Sequence, residues 1–396
     1  MKKRALLRAA AAGAATSLLG APLASMAQAA SFRIGLILPM NGAFASTGKQ
    51  IDAAVKLWIA QNGSTVAGRR IEVLLKDDAG TPDMTRRIAQ EMIVNDKVSA
   101  LAGFGLTPLA LSAAPVATQA RVPLVVMAAA TSSITEASPF VVRTSYTLPQ
   151  TALAMAEWAN KNGMKKFVSI VTDYGPGLDA EKFFNDYVRN NGGQVLDALR
   201  VPLRGTDFSP FLQKVRDAKP DALFVFVPSG AGTQLMKQFA ERGLDKAGIR
   251  IIGDGGITDD DILQDMGDVA LGAITAFHYS EAHPSAVNKK FVQAFKAANP
   301  GMHPNFMAVG GYDGMHVIYD AIKATKGQGD GTALLEAMKG QIIESPRGQI
   351  LIDAQTRDIV QDIYIRKVER VNGELQNVEF DVMKSVKDPG KTRGRQ

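Results

Sequence analysis

The chain has 396 residues, is 46% hydrophobic and contains no cysteine. That length supports more than one core, so two domains are expected, and the missing cysteine excludes disulfides, thiol nucleophiles and thiolate metal sites. The formal charge is +6, but Lys2, Lys3, Arg4 and Arg8 stand in the first eight residues and no acid precedes Ala29, so the remainder carries +2, too little to imply nucleic acid or an anionic membrane as partner.

The leader is the clearest local signal. "MKKRALLR" is a positive segment, a small-residue apolar stretch follows, and "AQA" at Ala27–Ala29 fits a small-x-small cleavage site. The alternative, an uncleaved anchor, meets an alanine-rich segment that is weakly hydrophobic and soon ends in polar residues. No later stretch offers the ~20 apolar residues of a spanning helix. With no cysteine after the leader, lipid attachment there is excluded. The expectation is a signal peptide over 1–29 and a soluble, exported protein, with the polar tail at 391–396 loose.

From Phe32 onward strand and helix patterns alternate. "FRIGLILP" reads as a strand, and the helix after it carries Ile51, Ala54, Val55, Trp58 and Ile59 on one stripe. "RRIEVLLKDD" is the next strand. A helix from about Asp83 to Asn95 follows, with Met84, Ile88, Met92 and Ile93 inward. "SALAG" and "VPLVVM" are short strands around a further helix. This is βαβ logic and implies a mostly parallel sheet covered on both sides. The pattern restarts at "KKFVSIVTD" and runs through "GGQVLDALRVPL", "DALFVFVP" and "IRIIGDG", with helices between. "GAITAFHY" is a strand entering a polar loop, and helices are expected over 286–298 and 306–324. The C-terminal strands alternate in polarity, and Asn372-Gly373 marks a hairpin. Two packed lobes with a cleft between them fit this order better than separate beads.

Three small-residue loops stand at successive strand ends, where α/β crevices bind ligands. "PMNGAFASTG" matches neither GxGxxG nor GxxxxGK[ST], so a nucleotide phosphate is not expected. "AGFGLTPLA" offers Thr107, and "VMAAATSSITEA" offers Ala129, Thr131, Ser132 and Ser133. Ser and Thr are also ordinary cap residues, but three such loops together read as a carboxylate cradle of backbone and hydroxyls. "VTDYGPG" sets Tyr174 at the next strand tip, either as a cleft wall or as packing under its own loop. Asp254 stands at another tip, and Asp259, Asp260 and Asp261 are expected to begin a helix. The four histidines, His278, His283, His303 and His316, lack a metal-binding spacing. His278 faces either the cleft or solvent. No GxSxG elbow or convincing catalytic constellation is present.

Taken together, "RIGLILPMNGAFASTGKQIDAAVKLWIAQNG", "GRRIEVLLKDDAGTPDMTRRIAQEMI", "VPLVVMAAATSS", "DYGPG" and "GGYDGMHVIYDAI" resemble the branched-chain amino-acid-type solute-binding proteins of bacterial ABC importers. The resemblance covers the chain after the leader. It implies an α/β, type I periplasmic binding fold, two Rossmann-like lobes joined by a three-strand hinge. It also implies capture of a small solute in the cleft, delivery to inner-membrane permease subunits, a periplasmic location, no cofactor, no metal and no chemistry on the ligand. Carried over residue by residue, it points to Leu106, Thr107, Ala129 and Thr131 around a carboxylate, to Tyr174, and to Phe44 or Thr47 from the first loop. Phe104 and the "FHY" segment with His278 add apolar wall.

Two departures bear on the ligand. Where relatives that bind branched-chain amino acids carry an acid in a "GPEG"-like turn, this chain has "GDGG", with Gly255 at the acid and Asp254 one residue early. Where they carry a tyrosine, it has Pro228. An unpaired buried ammonium is costly, so an amino acid and an amine-free aromatic or aliphatic acid stand as equal alternatives. A ligand sensor for a receptor and an amidase- or racemase-like enzyme are rival readings of the same fold. A monomer is expected, with one lobe over 30–149 and 275–350 and the other over 150–274 and 351–390.

Overall fold

A computed structural model describes residues 31–392, so the expected signal peptide lies outside the described residues. Strands β1 (Phe32–Leu38), β2 (Thr65–Val66), β3 (Arg69–Asp77), β4 (Ala100–Gly103), β5 (Leu124–Val126) and β6 (Val141–Arg143) form a sheet in the order β2-β3-β1-β4-β5-β6. Apart from the β2–β3 pair these strands run parallel. Helices α1 (Ala45–Asn62), α2 (Pro82–Val94) and α3 (Thr107–Ala120) make the crossovers. The chain then leaves through α4 (Leu148–Lys161) and builds β7 (Lys166–Thr172), α5 (Gly175–Asn190), β8 (Gln194–Val201), α6 (Ser209–Ala218), β9 (Ala222–Phe226), α7 (Gly232–Glu241), β10 (Arg250–Asp254), α8 (Leu263–Met266) and β11 (Ile274–Phe277).

Helices α9 (Ala286–Ala298) and α10 (Phe306–Ala324) return to pack on α1 of the first lobe, and α11 (Gly331–Met338) packs on α10. Trp58 of α1 is the anchor: its ring meets Tyr312 at 4.8 Å, His316 at 4.6 Å and Tyr319 at 5.8 Å. Close approach requires Gly310, where a Cβ would stand 2.0 Å from the Met127 carbonyl oxygen. The chain ends with β12 (Ile342–Ser345), β13 (Gly348–Ile352), β14 (Ile359–Val371), β15 (Glu374–Val386) and α12 (Pro389–Thr392). The second sheet has the order β12-β13-β14-β11-β10-β9-β7-β8, with β15 on β14. The β14–β15 hairpin turns at Asn372 and Gly373, both at positive φ (51° and 90°), as a two-residue turn of this hand requires.

The architecture is two α/β lobes joined by strands, the type I periplasmic binding fold. Three points differ from the sequence reading. The sequence reading named no helix between 144 and 165, where α4 stands, alanine-rich and buried from Leu148 through Ala159 on nearly every side. Strand β11 was assigned to the return into the first lobe, yet it pairs with β10 and β14 inside the second sheet. The tail expected to be loose begins in helical α12, where Lys391 Nζ meets Glu136 at 2.9 Å and Asp358 at 3.7 Å. Residues 393–396 lie outside the described residues.

Buried arginines tie the connecting segments. Arg143 Nε lies 2.6 Å from Asp358 Oδ1, and its remaining nitrogens donate to the carbonyls of Ala129, Thr131, Ser132 and Tyr146. Arg347 pairs with Asp313 at 2.8 Å and donates to the carbonyls of Thr144 and Ser145. Arg366 donates to the carbonyls of Tyr279 and Gly255. Breaking one partner of such a pair leaves an uncompensated buried charge. We therefore expect Asp358→Asn to lower unfolding stability by roughly 3 kcal/mol or more. Urea denaturation followed by circular dichroism checks this, and an unchanged midpoint would contradict it.

Candidate ligand cleft between the lobes

The strand orders place the site. In the first sheet the order reverses between β1 and β4, and in the second between β7 and β9. Open α/β sheets bind ligands outside the C-terminal ends of their strands at such reversals. The loops after β1 and β4 bring Phe44, Thr47, Leu106 and Thr107 to a cleft of about 500 Å³ including its mouth. The loops after β7 and β9 bring Tyr174, Pro176, Val227, Pro228 and Ser229 to the same space. Ala129 and Asp254 line it too. The sequence candidates Phe44, Thr47, Leu106, Thr107, Ala129, Tyr174, Pro228 and Asp254 thus converge from segments far apart in the chain.

Thr131 stands one step behind, its hydroxyl 2.8 Å from that of Thr107. Both are nearly buried, and Thr107 occupies the first position of α3, whose leading N–H groups have no intrahelical acceptor. Leu109 and Ala110 N–H turn back to the Leu106 carbonyl, and among the described residues no acceptor meets the Thr107 N–H. The positive end of the α3 dipole and two hydroxyls therefore converge at one end of the cleft, an arrangement that favours an anion.

Phe104 and His278 are not on the cleft wall. Phe104 is fully buried at φ 65° and accepts the Ala129 N–H, so it shapes the loop from below. His278 faces neither solvent nor the cleft directly. It is fully buried, stacked on Tyr146 at 4.7 Å, and burial holds its pKa well below the ordinary value, so it is neutral. Sequence reasoning missed Tyr146, Phe226, Phe306 and Met307 on the wall. Phe226 had a usable signal, as the last residue of a strand. Tyr146 and Phe306 sit beside connecting segments whose path no local pattern reveals.

The lobes meet around the cleft. Ser46 donates to Asp261 (2.6 Å), the Ser132 N–H to Asp179 (2.8 Å) and Asn305 to Asp259 (2.9 Å). Arg204 lies over the Phe44 ring at 5.1 Å, and Leu203 packs on Phe44, Leu106 and Leu109. Asp259, Asp260 and Asp261 do not begin a helix as expected. They precede α8 and take donors from Ser229, Asn305, Asn377 and Ser46. Donors from the first lobe and from β15 account for the difference.

Asp254 closes β10. It accepts the Gly256 N–H at 3.0 Å and the Thr151 hydroxyl at 2.8 Å, and the Tyr146 hydroxyl lies 3.5 Å away. Burial pushes its carboxyl up to about 6, against these donors and Arg366, which pull it down. A folded-state pKa above the ordinary value means that the folded chain binds the extra proton. Between about pH 4 and 6 rising pH therefore removes stability, by roughly 3 kcal/mol once Asp254 is fully ionised. Neutral His278 acts in the opposite sense, so the test compares variant with wild type. Asp254→Asn should shrink the fall, or enlarge the rise, in melting temperature between pH 5 and pH 7.5. An identical pH dependence would refute this assignment.

The sequence pattern of the periplasmic binding protein family matches residues 31–374. The Leu/Ile/Val-binding protein homolog 6 of Brucella abortus (strain 2308) is 42% identical over 371 residues, 93% of this chain and 95% of that protein. A solute-binding protein of an ABC transporter from Rhodopseudomonas palustris BisB5, solved with 3,4-dihydroxybenzoic acid, is 60% identical, with a TM-score of 0.89 over 91% of this chain and 99% of its own. A second R. palustris solute-binding protein, solved with 4-hydroxybenzoate, is 36% identical, with a TM-score of 0.89 over 92% of this chain and 100% of its own. With the family pattern spanning both lobes and the relatives aligned end to end, the chain belongs to the periplasmic binding protein family, in its Leu/Ile/Val-binding-like branch.

Proposed function

We propose that the cleft holds an aromatic carboxylic acid of the hydroxybenzoate class. The frame for this reading is the family: the chain is the periplasmic solute-binding component of an ABC importer, taking a small carboxylate-bearing solute to its permease subunits without chemical change. The observation that carries the finer reading is the wall. Phe44, Tyr146, Tyr174, Phe226 and Phe306 line one cleft, with Tyr174 stacked on Phe226 at 6.1 Å. A wall rich in flat rings suits a flat solute, and the Thr107–Thr131 end suits its carboxylate. Relatives that share this fold at 60% and 36% identity were solved with hydroxylated benzoates, which supports the same class here.

In this reading Thr107 and Thr131 hold the carboxylate with the start of α3, Ala129, Leu106 and Thr47 shape that end, and Phe44, Tyr174 and Pro228 flank the ring. Phe104 and His278 act from behind. The lobes divide as expected from the sequence at the first crossing, while β11, β12 and β13 all go with the second sheet, so the return to the first lobe follows β11 and ends before β12.

Titration calorimetry against benzoate, 4-hydroxybenzoate, 3,4-dihydroxybenzoate, aliphatic acids, leucine and valine tests the assignment. Micromolar or tighter binding of a benzoate is expected; binding of leucine with none of any benzoate overturns it. Thr131→Ala should weaken binding by roughly 1.5–3 kcal/mol, the worth of a hydrogen bond to a charged group.

Gly175, at the start of α5, tests closure. A Cβ there would stand 2.5 Å from Thr131 Oγ1 and 3.3 Å from Thr107 Cγ2. Gly175→Ala should hold the lobes apart and reduce affinity at least tenfold, about 1.4 kcal/mol. Small-angle scattering should show compaction on ligand addition in the wild type and less in the variant. Identical profiles with and without ligand at saturation would remove the closure argument.

A further inference from the structure

We propose that Asp254 and Tyr146 together read a hydroxyl group on the ring of the bound acid, so that the protein selects phenolic acids over benzoates that lack the hydroxyl. The inference rests on the aromatic-acid reading above and names the part of the solute that the second lobe recognises.

The geometry leaves a place for one hydroxyl. Asp254 and Tyr146 both line the cleft. Asp254 is almost fully buried, and its two fixed donors, the Gly256 N–H and the Thr151 hydroxyl, come from the protein side. Arg366 is close enough to influence it, but its nitrogens are committed to the carbonyls of Tyr279 and Gly255 and to the Thr275 hydroxyl. Among the described residues the carboxylate has no ion-pair partner, so it is free to accept a further donor from the cleft. A carboxylate has about four acceptor directions, and the two fixed donors leave some open.

Tyr146 is the second half. Its hydroxyl is 3.5 Å from Asp254 Oδ1, at the outer limit of a hydrogen bond. The ring cannot swing closer without repacking. His278 stacks on it at 4.7 Å, while Phe277 and Phe306 meet it edge-on at 5.1 Å and 5.6 Å. Among the described residues neither nitrogen of His278 has a hydrogen-bond partner. Its contribution is the face that it presents to Tyr146, which makes it a positioning residue. A phenolic hydroxyl at this point donates to Asp254 and accepts from Tyr146, converting one long contact into two good ones. An unsubstituted ring edge leaves the buried carboxylate facing C–H groups. Sites built to bond a hydroxyl reject analogues that lack it, because their own polar groups are left unpaired.

An α-ammonium is the competing donor for the same carboxylate, and the test separates the two. Dissociation constants for benzoate, 4-methylbenzoate, 3-hydroxybenzoate, 4-hydroxybenzoate and leucine are measured on the mature protein, on Tyr146→Phe, on Asp254→Asn and on the double variant. In the wild type at least one hydroxybenzoate should bind roughly 10- to 100-fold tighter than benzoate, and the methyl analogue should gain nothing comparable. Each single substitution should cut that ratio to within about threefold of unity, and the double should cut it no further, because both groups share one ligand hydroxyl. Wild-type binding that ignores the hydroxyl overturns the inference while leaving the aromatic-acid reading intact. So does a hydroxyl preference that survives both substitutions. Binding of leucine with no benzoate bound overturns both. If Asp254→Asn fails to fold, Tyr146→Phe carries the comparison by itself.

Discussion

The contact on which the cleft depends is the buried pair of Arg143 and Asp358. Arg143 ends the last strand of the first sheet, and Asp358 immediately precedes β14 of the second. A guanidinium in this position has more donors than one carboxylate can take. It spends the surplus on carbonyls of Ala129, Thr131, Ser132 and Tyr146. One side chain thereby fixes the loop after β5, the segment between β6 and α4, and the entry to β14. The carbonyls of the 129–132 loop are drawn toward Arg143, and the hydroxyl of Thr131 is left to meet Thr107. Arg347 and Arg366 repeat the device, each gathering carbonyls from a connecting segment. Backbone crossing between lobes leaves the ladders of both sheets, so its carbonyls need donors from elsewhere.

On that frame the chemistry of the cleft follows from strand order. Each sheet has one reversal point, and the two face each other. The first lobe contributes a helix start and hydroxyls, which suit an anion. The second contributes rings and a carboxylate with a raised pKa, which suit a ring and a neutral donor. A solute that satisfies both lobes at once is favoured by closure, and closure is the difference in shape that a permease can read.

The junction also concentrates acids. Asp254, Asp259, Asp260 and Asp261 all have raised pKa values, with burial the largest cause. Hydrogen bonds from Ser229, Asn305, Asn377 and Ser46 offset part of that cost, and the Ser46 and Asn305 bonds cross from the first lobe. When the lobes part, these bonds exchange for water and the carboxyls regain hydration. The junction thus combines these polar bonds with the apolar contact of Leu203 on Phe44, Leu106 and Leu109.

Most of the order of strands and helices, the hairpin at Asn372-Gly373 and the small-residue loops were legible in the sequence, because periodicity and turn chemistry are local properties. Thr107, Tyr174 and Asp254 were legible for the same reason: each stands at a strand tip. The remaining features depend on distance in space. Tyr146 and Asp254 are 108 residues apart, Thr107 and Thr131 are 24 apart, and the acids after β10 are buried by donors from Ser46 and Asn305. A polar run such as Asp259–Asp261 looks like a solvated helix start until another lobe covers it, and a histidine such as His278 looks exposed until Tyr146 and Phe306 enclose it. Alanine-rich α4, not named from the sequence, is buried on nearly all sides. The sequence alone determined most of the segments that become strands, helices and loops. Only the tertiary structure decided which rings wall the cleft and how its carboxylate is buried and paired, because burial and pairing are properties of contacts between segments that no local pattern records.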